Sequence, residues 1–268
     1  MQVLIVPAIY SVVVLIFPHC CKTGLIMNNT YKGSTDLLRD FWENRSVSFE
    51  KDYSIRQEGI VKLTEEIAEL IEGKNVLELG CGPGIVASYY PQTSDMVGVD
   101  FSSSMLKLAK ERIRNLVLGD ALNLPFRTRI FEVLTCFFIA SDYAAKENIF
   151  AEAFRVLKVS GAFLYADYSP EDEHWKLRRQ IQPALGQSCD IKIEKEGELS
   201  EKLKKTGFSL DEAKLIRFKT EFRLARYLKS QNEIQKLKEA DPGLWKTLKT
   251  CLRKREIERE FILLISRK

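Results

Sequence analysis

The chain has 268 residues, room for one large domain or for a core with a small accessory. Its 45% hydrophobic and 29% charged content is ordinary for a globular protein, and a net charge of +4 is too small to imply a polyanionic partner by itself. The cysteines Cys20, Cys21, Cys81, Cys136, Cys189 and Cys251 form no Cys-x-x-Cys pair. Their scatter excludes a disulfide framework, leaves His19, Cys20 and Cys21 too few companions to hold a metal, and fits reduced, mostly buried thiols in the cytosol.

In chain order, residues 1–26 form an apolar extension in which Val3 to Phe17 is broken only by Pro7 and Ser11. That run is short for a helical span, which needs about twenty residues, and Met1-Gln2 lacks the basic start of a signal peptide. A membrane anchor, a buried appendage and an untranslated upstream extension stay open, the anchor least favoured. Met27-Asn28-Asn29-Thr30 reads as a more natural start, so the main domain is expected over 27–268, in the cytoplasm. Helical periodicity covers Asp36 to Ser46 and Ser54 to Glu72. In the second, Ile60, Leu63, Ile67, Leu70 and Ile71 share a stripe and Gly73 is placed to stop the helix.

Val76-Leu77-Glu78-Leu79-Gly80-Cys81-Gly82-Pro83-Gly84 then reads as a buried strand running into a glycine turn and a helix with Pro83 in its first turn. Met96 to Asp100 is a second strand, and Ser102 caps a helix over Ser103 to Arg114. Leu116 to Leu118 and Ile130 to Phe137 are further strands, Ala145 to Leu157 a helix, and Ala162 to Ala166 another strand. Such alternation implies a parallel sheet with helices on both faces. Toward the end, Glu198 to Thr206 is a helix stopped by Gly207 and Glu212 to Phe218 a strand. Two helices flank the turn Asp241-Pro242-Gly243, with Leu244, Leu248 and Leu252 on one face of the second. Phe261 to Ile265 is the last strand.

The ligand follows from spacing. Alternate glycines let a ligand lie against the backbone, and helix N–H groups favour anions. A dinucleotide fingerprint requires glycine at the sixth position, here Ile85, so a ligand smaller than NAD is indicated. Asp100 stands about twenty residues on, where a carboxylate meets ribose hydroxyls. A second acid, Asp120, ends the next strand; for both, a helix-cap or loop role is the alternative.

With these residues in hand, the chain resembles the class I S-adenosylmethionine-dependent methyltransferases (methyltransferase type 11), above all the ubiquinone/menaquinone-biosynthesis C-methyltransferases. The resemblance rests on Val76 to Gly84, Gly98-Val99-Asp100, Ser104-Met105-Leu106, Gly119 to Phe126 and Phe154-Arg155-Val156-Leu157-Lys158, in the family's order and spacing. It implies a Rossmann-like α/β sheet of order 3-2-1-4-5-7-6 with the last strand antiparallel, and a helical insertion of about 225–258 before that strand. It implies S-adenosyl-L-methionine as methyl donor and no metal. The donor site would comprise Glu78 toward the amino group and Gly80, Cys81, Gly82 and Gly84 beside the methionine portion. Asp100 would meet the ribose, Phe101, Asp120 and Ala121 the adenine, and Phe137 the same edge. Phe41, Trp42 and Tyr53 would cover the donor or pack as core. Lys158-Val159-Ser160-Gly161 departs from the family's Lys-Pro-Gly-Gly, and Ile130 from its usual acid.

The sulfonium methyl is already activated, so alignment of donor and acceptor does most of the work, and a base is needed only for early deprotonation. His174, Asp142, Tyr143 and Tyr168 are the weak candidates for catalysis, a plain loop residue being the favoured reading of His174 and an open one for the others. Cys136-Phe137-Phe138-Ile139 replaces the Asn-Pro-Pro-Tyr loop of amino-methylating enzymes. The expected acceptor is therefore small and apolar or lipid-like, methylated at carbon or oxygen, with membrane contact left open through residues 3–17. The rivals are an RNA or protein methyltransferase using the basic helix around Arg253-Lys254-Arg255, or a donor-binding subunit without turnover.

Overall fold

A computed structural model describes residues 39–40, 42–44, 56–92, 95–139, 146–187 and 193–268. The expectations for residues 1–26, Phe41, Tyr53, Asp142, Tyr143 and Cys189 lie outside the described residues. Of the first expected helix, residues 39–40 and 42–44 are described and are helical.

Helix α1 (Gln57–Ile71) leads into β1 (Asn75–Leu79), β2 (Asp95–Asp100), α2 (Ser103–Ala109), β3 (Asn115–Leu118) and β4 (Phe131–Phe137). Next come α3 (Lys146–Val156), β5 (Leu157–Tyr168), α4 (Glu173–Ala184), α5 (Glu196–Thr206) and β6 (Ser209–Glu221). Helices α6 (Gln231–Ala240) and α7 (Pro242–Lys254) precede β7 (Glu256–Arg267). The seven strands stand in the order β3-β2-β1-β4-β5-β7-β6, as the resemblance implied, with β7 antiparallel to both its neighbours. Strands β1 to β6 therefore share one direction, and their C-terminal ends form one edge.

The pleat sorts the apolar residues onto two faces. Leu77, Leu79, Leu134 and Cys136 pack with Ile149 and Phe150 of α3 and Leu199 and Leu203 of α5. Val76 and Val133 face the other way, against Ile60, Leu63, Ile67 and Ile71 of α1. Helix α1 stops where Gly73 turns to φ +68° and Lys74 N–H reaches the Ile71 carbonyl at 3.0 Å. Among the described cysteines, Cys81, Cys136 and Cys251 are unpaired thiols, the first two buried. No helix among the described residues is long and apolar enough to cross a membrane.

Several boundaries differ from expectation. No α-helix follows the glycine turn: Gly82 and Gly84 take φ of +52° and +75°, and only a 3₁₀ turn forms at Ala87–Tyr89. Tyr90 is already extended before Pro91, as the residue preceding proline prefers. Helix α2 ends at Ala109 instead of Arg114 because the chain turns back, the N–H groups of Arg112 and Ile113 both reaching the Ala109 carbonyl at 2.9 Å. Arg112 pins this turn by donating to the Pro83 carbonyl at 3.0 Å. Strands β6 and β7 are longer than expected and pair along almost their whole length, so residues 256–258 belong to strand rather than insertion. In α7, Leu244 and Leu248 are buried but Leu252 is 38% exposed. The helical segment folds onto α4, sharing a third core with Leu177 and Ile181.

Candidate functional site

The C-terminal edge of the sheet gathers most of the residues singled out in the sequence. The first turn, after β1, is built from glycines that must be glycine. Gly80 has φ +61°, and a Cβ there would lie 2.4 Å from Ile139 Cγ2, so only hydrogen fits beneath the loop that follows β4. Gly84 faces away, its missing Cβ leaving room for Arg112 and Ile113 behind the turn. Cys81 acts through its backbone: its N–H donates to the Val99 carbonyl at 3.0 Å while its buried thiol lies against Gly98 of β2.

Asp100 joins this turn to the next. Its Oδ2 accepts from Gly82 N–H at 2.8 Å and its Oδ1 from Ser102 N–H at 2.8 Å. Ser102 in turn caps α2, its Oγ accepting from Met105 N–H at 3.2 Å. Burial lifts the Asp100 carboxyl to about 6 despite these bonds. Glu78, on β1 and 3% exposed, is lifted further, to about 8, by burial and then by the charge of Asp100. Its Oε2 is buried with no hydrogen-bond partner among the described residues. An unpartnered buried oxygen costs about 1–3 kcal/mol, which a donor from outside the chain would offset. Glu78 thus presents a buried acceptor beside Asp100, whose two oxygens are held by backbone N–H groups of the turns after β1 and β2.

Farther along the edge, Asp120 Oδ1 accepts from Leu122 N–H at 2.9 Å in a tight turn, with Ala121 buried beside it. Phe101 is half-buried next to Asp100. Phe137 closes β4 and is 5% exposed. The next residue, Phe138, is held at φ +61°, an outlier for a bulky side chain and a form of backbone strain that clusters at functional sites. Its N–H reaches the Ala166 carbonyl at 2.9 Å, and its ring meets Phe261 at 4.6 Å and Tyr168 at 5.3 Å. Tyr168, the last residue of β5, thus sits in an aromatic wall completed by Trp175 at 5.2 Å. Its hydroxyl accepts from Arg56.

His174 stands behind the aromatic wall, against Trp175 and Tyr227. Its Nδ1 lies 2.7 Å from the Tyr227 hydroxyl, and burial together with the charges of Arg259 and Arg178 pushes its pKa well below the usual range. The imidazole is a neutral packing element one ring removed from Tyr168, which disfavours it as a base. Glu43, Arg56 and Trp175 were not singled out by the sequence. Glu43 Oε1 and Oε2 accept from Ser103 and Ser104 N–H at 2.6 and 3.0 Å, clasping the first turn of α2 beside Asp100.

Comparison with known proteins bears on the fold and the family of its central segment. The family described as "Methyltransferase domain" matches residues 77–165. The phthiotriol/phenolphthiotriol dimycocerosates methyltransferase of Mycobacterium tuberculosis is 39% identical over 108 residues, covering 38% of this chain and 40% of the relative. The demethylmenaquinone methyltransferase of Thermotoga maritima is 32% identical over 132 residues, 47% of this chain and 56% of that one. The chain thus spans about half the length of these curated relatives. In fold, a Bacillus halodurans protein solved as a candidate methyltransferase superposes with a TM-score of 0.60 at 24% identity, over 78% of this chain and 98% of that one. Residues 77–165 thus match a methyltransferase domain, and they lie within a seven-stranded sheet of order β3-β2-β1-β4-β5-β7-β6, a Rossmann-like fold shared with solved methyltransferase structures.

Proposed function

We propose that this chain transfers a methyl group from S-adenosylmethionine to a small apolar or lipid-like acceptor, at carbon or oxygen. The observation that carries the donor assignment is the unpartnered Oε2 of Glu78, buried beside a glycine turn that admits a ligand against its backbone. Glu78 binds and neutralises the donor's amino group, and Asp100 orients its ribose. Gly80 and Gly82 allow close backbone approach, while Asp120 and Ala121 bound the adenine. The bound donor supplies an electrophilic methyl. Alignment of the acceptor against it contributes roughly 7–11 kcal/mol in effective-molarity terms.

The acceptor reading is supported by the half-buried rings of Phe138 and Trp175 beside Tyr168 at the end of β5, with Phe261 buried behind them. It is also supported by relatives named for phthiotriol dimycocerosates and demethylmenaquinone. Each Å² of apolar surface buried there contributes about 25 cal/mol. No base within the described residues is required if the acceptor meets the methyl already ionised, as an acidic hydroxyl or an activated ring carbon does. The exposed basic residues of α7, Lys246, Lys249, Arg253 and Lys254, are the feature an RNA enzyme would use.

Tritiated donor offered with an organic-soluble cell extract, total RNA and total protein separates these readings. Label in the organic phase is expected. Label in RNA that falls steeply with salt, and is lost when Arg253, Lys254 and Arg255 are neutralised, would replace the proposal. Donor binding without transfer to any fraction would favour a non-catalytic subunit.

A further inference from the structure

Beyond the aromatic wall, between the first turn of α1 and the end of β6, lies a cleft of about 480 Å³ lined by Gln57, Glu58, Lys219, Thr220, Glu221, Arg223 and Arg226. Because β6 runs with β1 to β5, this cleft opens on the same edge as the donor site. Arg56 connects the two: it donates to Tyr168 on one side and immediately precedes the cleft residues Gln57 and Glu58 on the other.

The carboxylates of the cleft are already engaged. Glu221 pairs with Arg223 at 2.6 Å and Glu58 with Lys62 at 2.8 Å. Arg226, half-buried, donates to the Glu221 carbonyl at 3.2 Å and forms no ion pair among the described residues. Burial and the neighbouring charge of Arg223 bear on its guanidinium, and Arg259 lies close enough to add to them. Thr220 is 6% exposed, and its buried Oγ1 has no hydrogen-bond partner among the described residues. A half-buried cation and an orphaned hydroxyl lining one cleft are the donors that a carboxylate or phosphate needs, and a guanidinium grips such groups through paired N–H bonds.

We infer that this cleft binds an oxyanion carried by the methyl acceptor, held by Arg226 and Thr220, so that the acceptor is an acidic amphiphile with its apolar part along Tyr168 and Phe138. The inference rests on the proposed methyl transfer and narrows its substrate class. It also gives a reason for an arginine-rich rim in a chain whose overall charge is nearly balanced.

The test uses the full chain saturated with S-adenosylhomocysteine, whose own binding is measured first. Failure at that step counts against the donor assignment and not against the cleft. Hexyl phosphate, hexanoate, hexanol and inorganic phosphate are then titrated by calorimetry. Hexyl phosphate or hexanoate is expected to bind at least tenfold more tightly than hexanol. Arg226→Gln and Thr220→Val should each weaken that binding about tenfold, the loss of one hydrogen bond to a charged group, while Arg226→Lys restores part of it. Lys236→Gln, on the exposed face of α6, serves as the control and should change nothing. Equal binding of hexanol and the acids, or indifference to Arg226→Gln in a variant that still binds S-adenosylhomocysteine, would overturn the inference. Inorganic phosphate binding as tightly as hexyl phosphate would overturn the acceptor assignment, marking a site for a free anion instead.

Discussion

Replacing Glu78 with Gln removes one ionisable group from β1 while nearly keeping its shape. The carboxyl titrates near 8 in the folded chain against an ordinary 4.5. The folded state therefore holds a proton that the unfolded state has released between those two values. Stability from this group is full below about 4.5, declines as pH rises through the window, and is lost above about 8. At pH 7 the deficit is about 2.5 units, or roughly 3 kcal/mol at 1.36 kcal/mol per unit. Glu78→Gln should thus raise the apoprotein's melting temperature at pH 7 by roughly 6–12 °C and leave it unchanged near pH 4. The same substitution should weaken S-adenosylhomocysteine, because the amide cannot balance the ligand's ammonium group. Binding to the wild type at pH 7 should release close to one proton, seen by calorimetry as a dependence of apparent enthalpy on buffer, and binding to the variant none. Parallel melting curves across pH 4 to 8 would refute the electrostatic argument. Undiminished affinity would refute the role of Glu78 in the site.

Three further outcomes are expected. Gly80→Ala places a methyl 2.4 Å from Ile139 at φ +61°, so it should abolish S-adenosylhomocysteine binding in a calorimeter and cost at least the roughly 1–2 kcal/mol of a left-handed residue in chemical denaturation. Asp172 is fully buried and accepts from Arg259 Nε at 2.7 Å and from the N–H groups of Glu260 and Trp175. Asp172→Ala strands a buried guanidinium and uncaps α4, so urea unfolding should show a loss of about 3–5 kcal/mol. Glu43→Gln weakens the clasp on α2, and stopped-flow dissociation of S-adenosylhomocysteine should quicken severalfold while thermal stability falls by less than about 1 kcal/mol.

The strands were legible in the sequence wherever an apolar run was continuous. Val76 to Leu79 and Val133 to Phe137 are buried on both faces, so their apolar runs are nearly continuous, interrupted only by Glu78 and Thr135. The first half of β7 was missed because Glu256-Ile257-Glu258-Arg259-Glu260 is mostly charged, and residues to about 258 read as the end of the helical insertion. Its alternation is real, Ile257 and Arg259 turning inward, but Arg259 is tolerated there only because Asp172 awaits it 87 residues away in sequence. The helix expected after Gly84 failed for a local reason, the left-handed glycines and Pro91 leaving too little chain to nucleate one. At the candidate site, Glu78, Asp100 and Asp120 could be read because each stands within two residues of a strand's end, near a turn signature. Glu43 and Arg56 reach the site across 60 and 112 residues, and no local pattern announces such a contact.

The two short bonds from Asp100 to Gly82 and Ser102 have a thermodynamic consequence. They tie the turns after β1 and β2 into one ring, so the carboxylate's rotamer is selected during folding and not by the ligand. Ordering entropy is thereby charged to the folding equilibrium, where the whole core helps to bear it. A ligand arriving at this corner meets a receptor with little left to arrange. Hydrogen exchange at Gly82 and Ser102 should consequently be slow in the apoprotein and change little on loading, while amides of the loop carrying Phe138 and Ile139 take the larger share of any added protection.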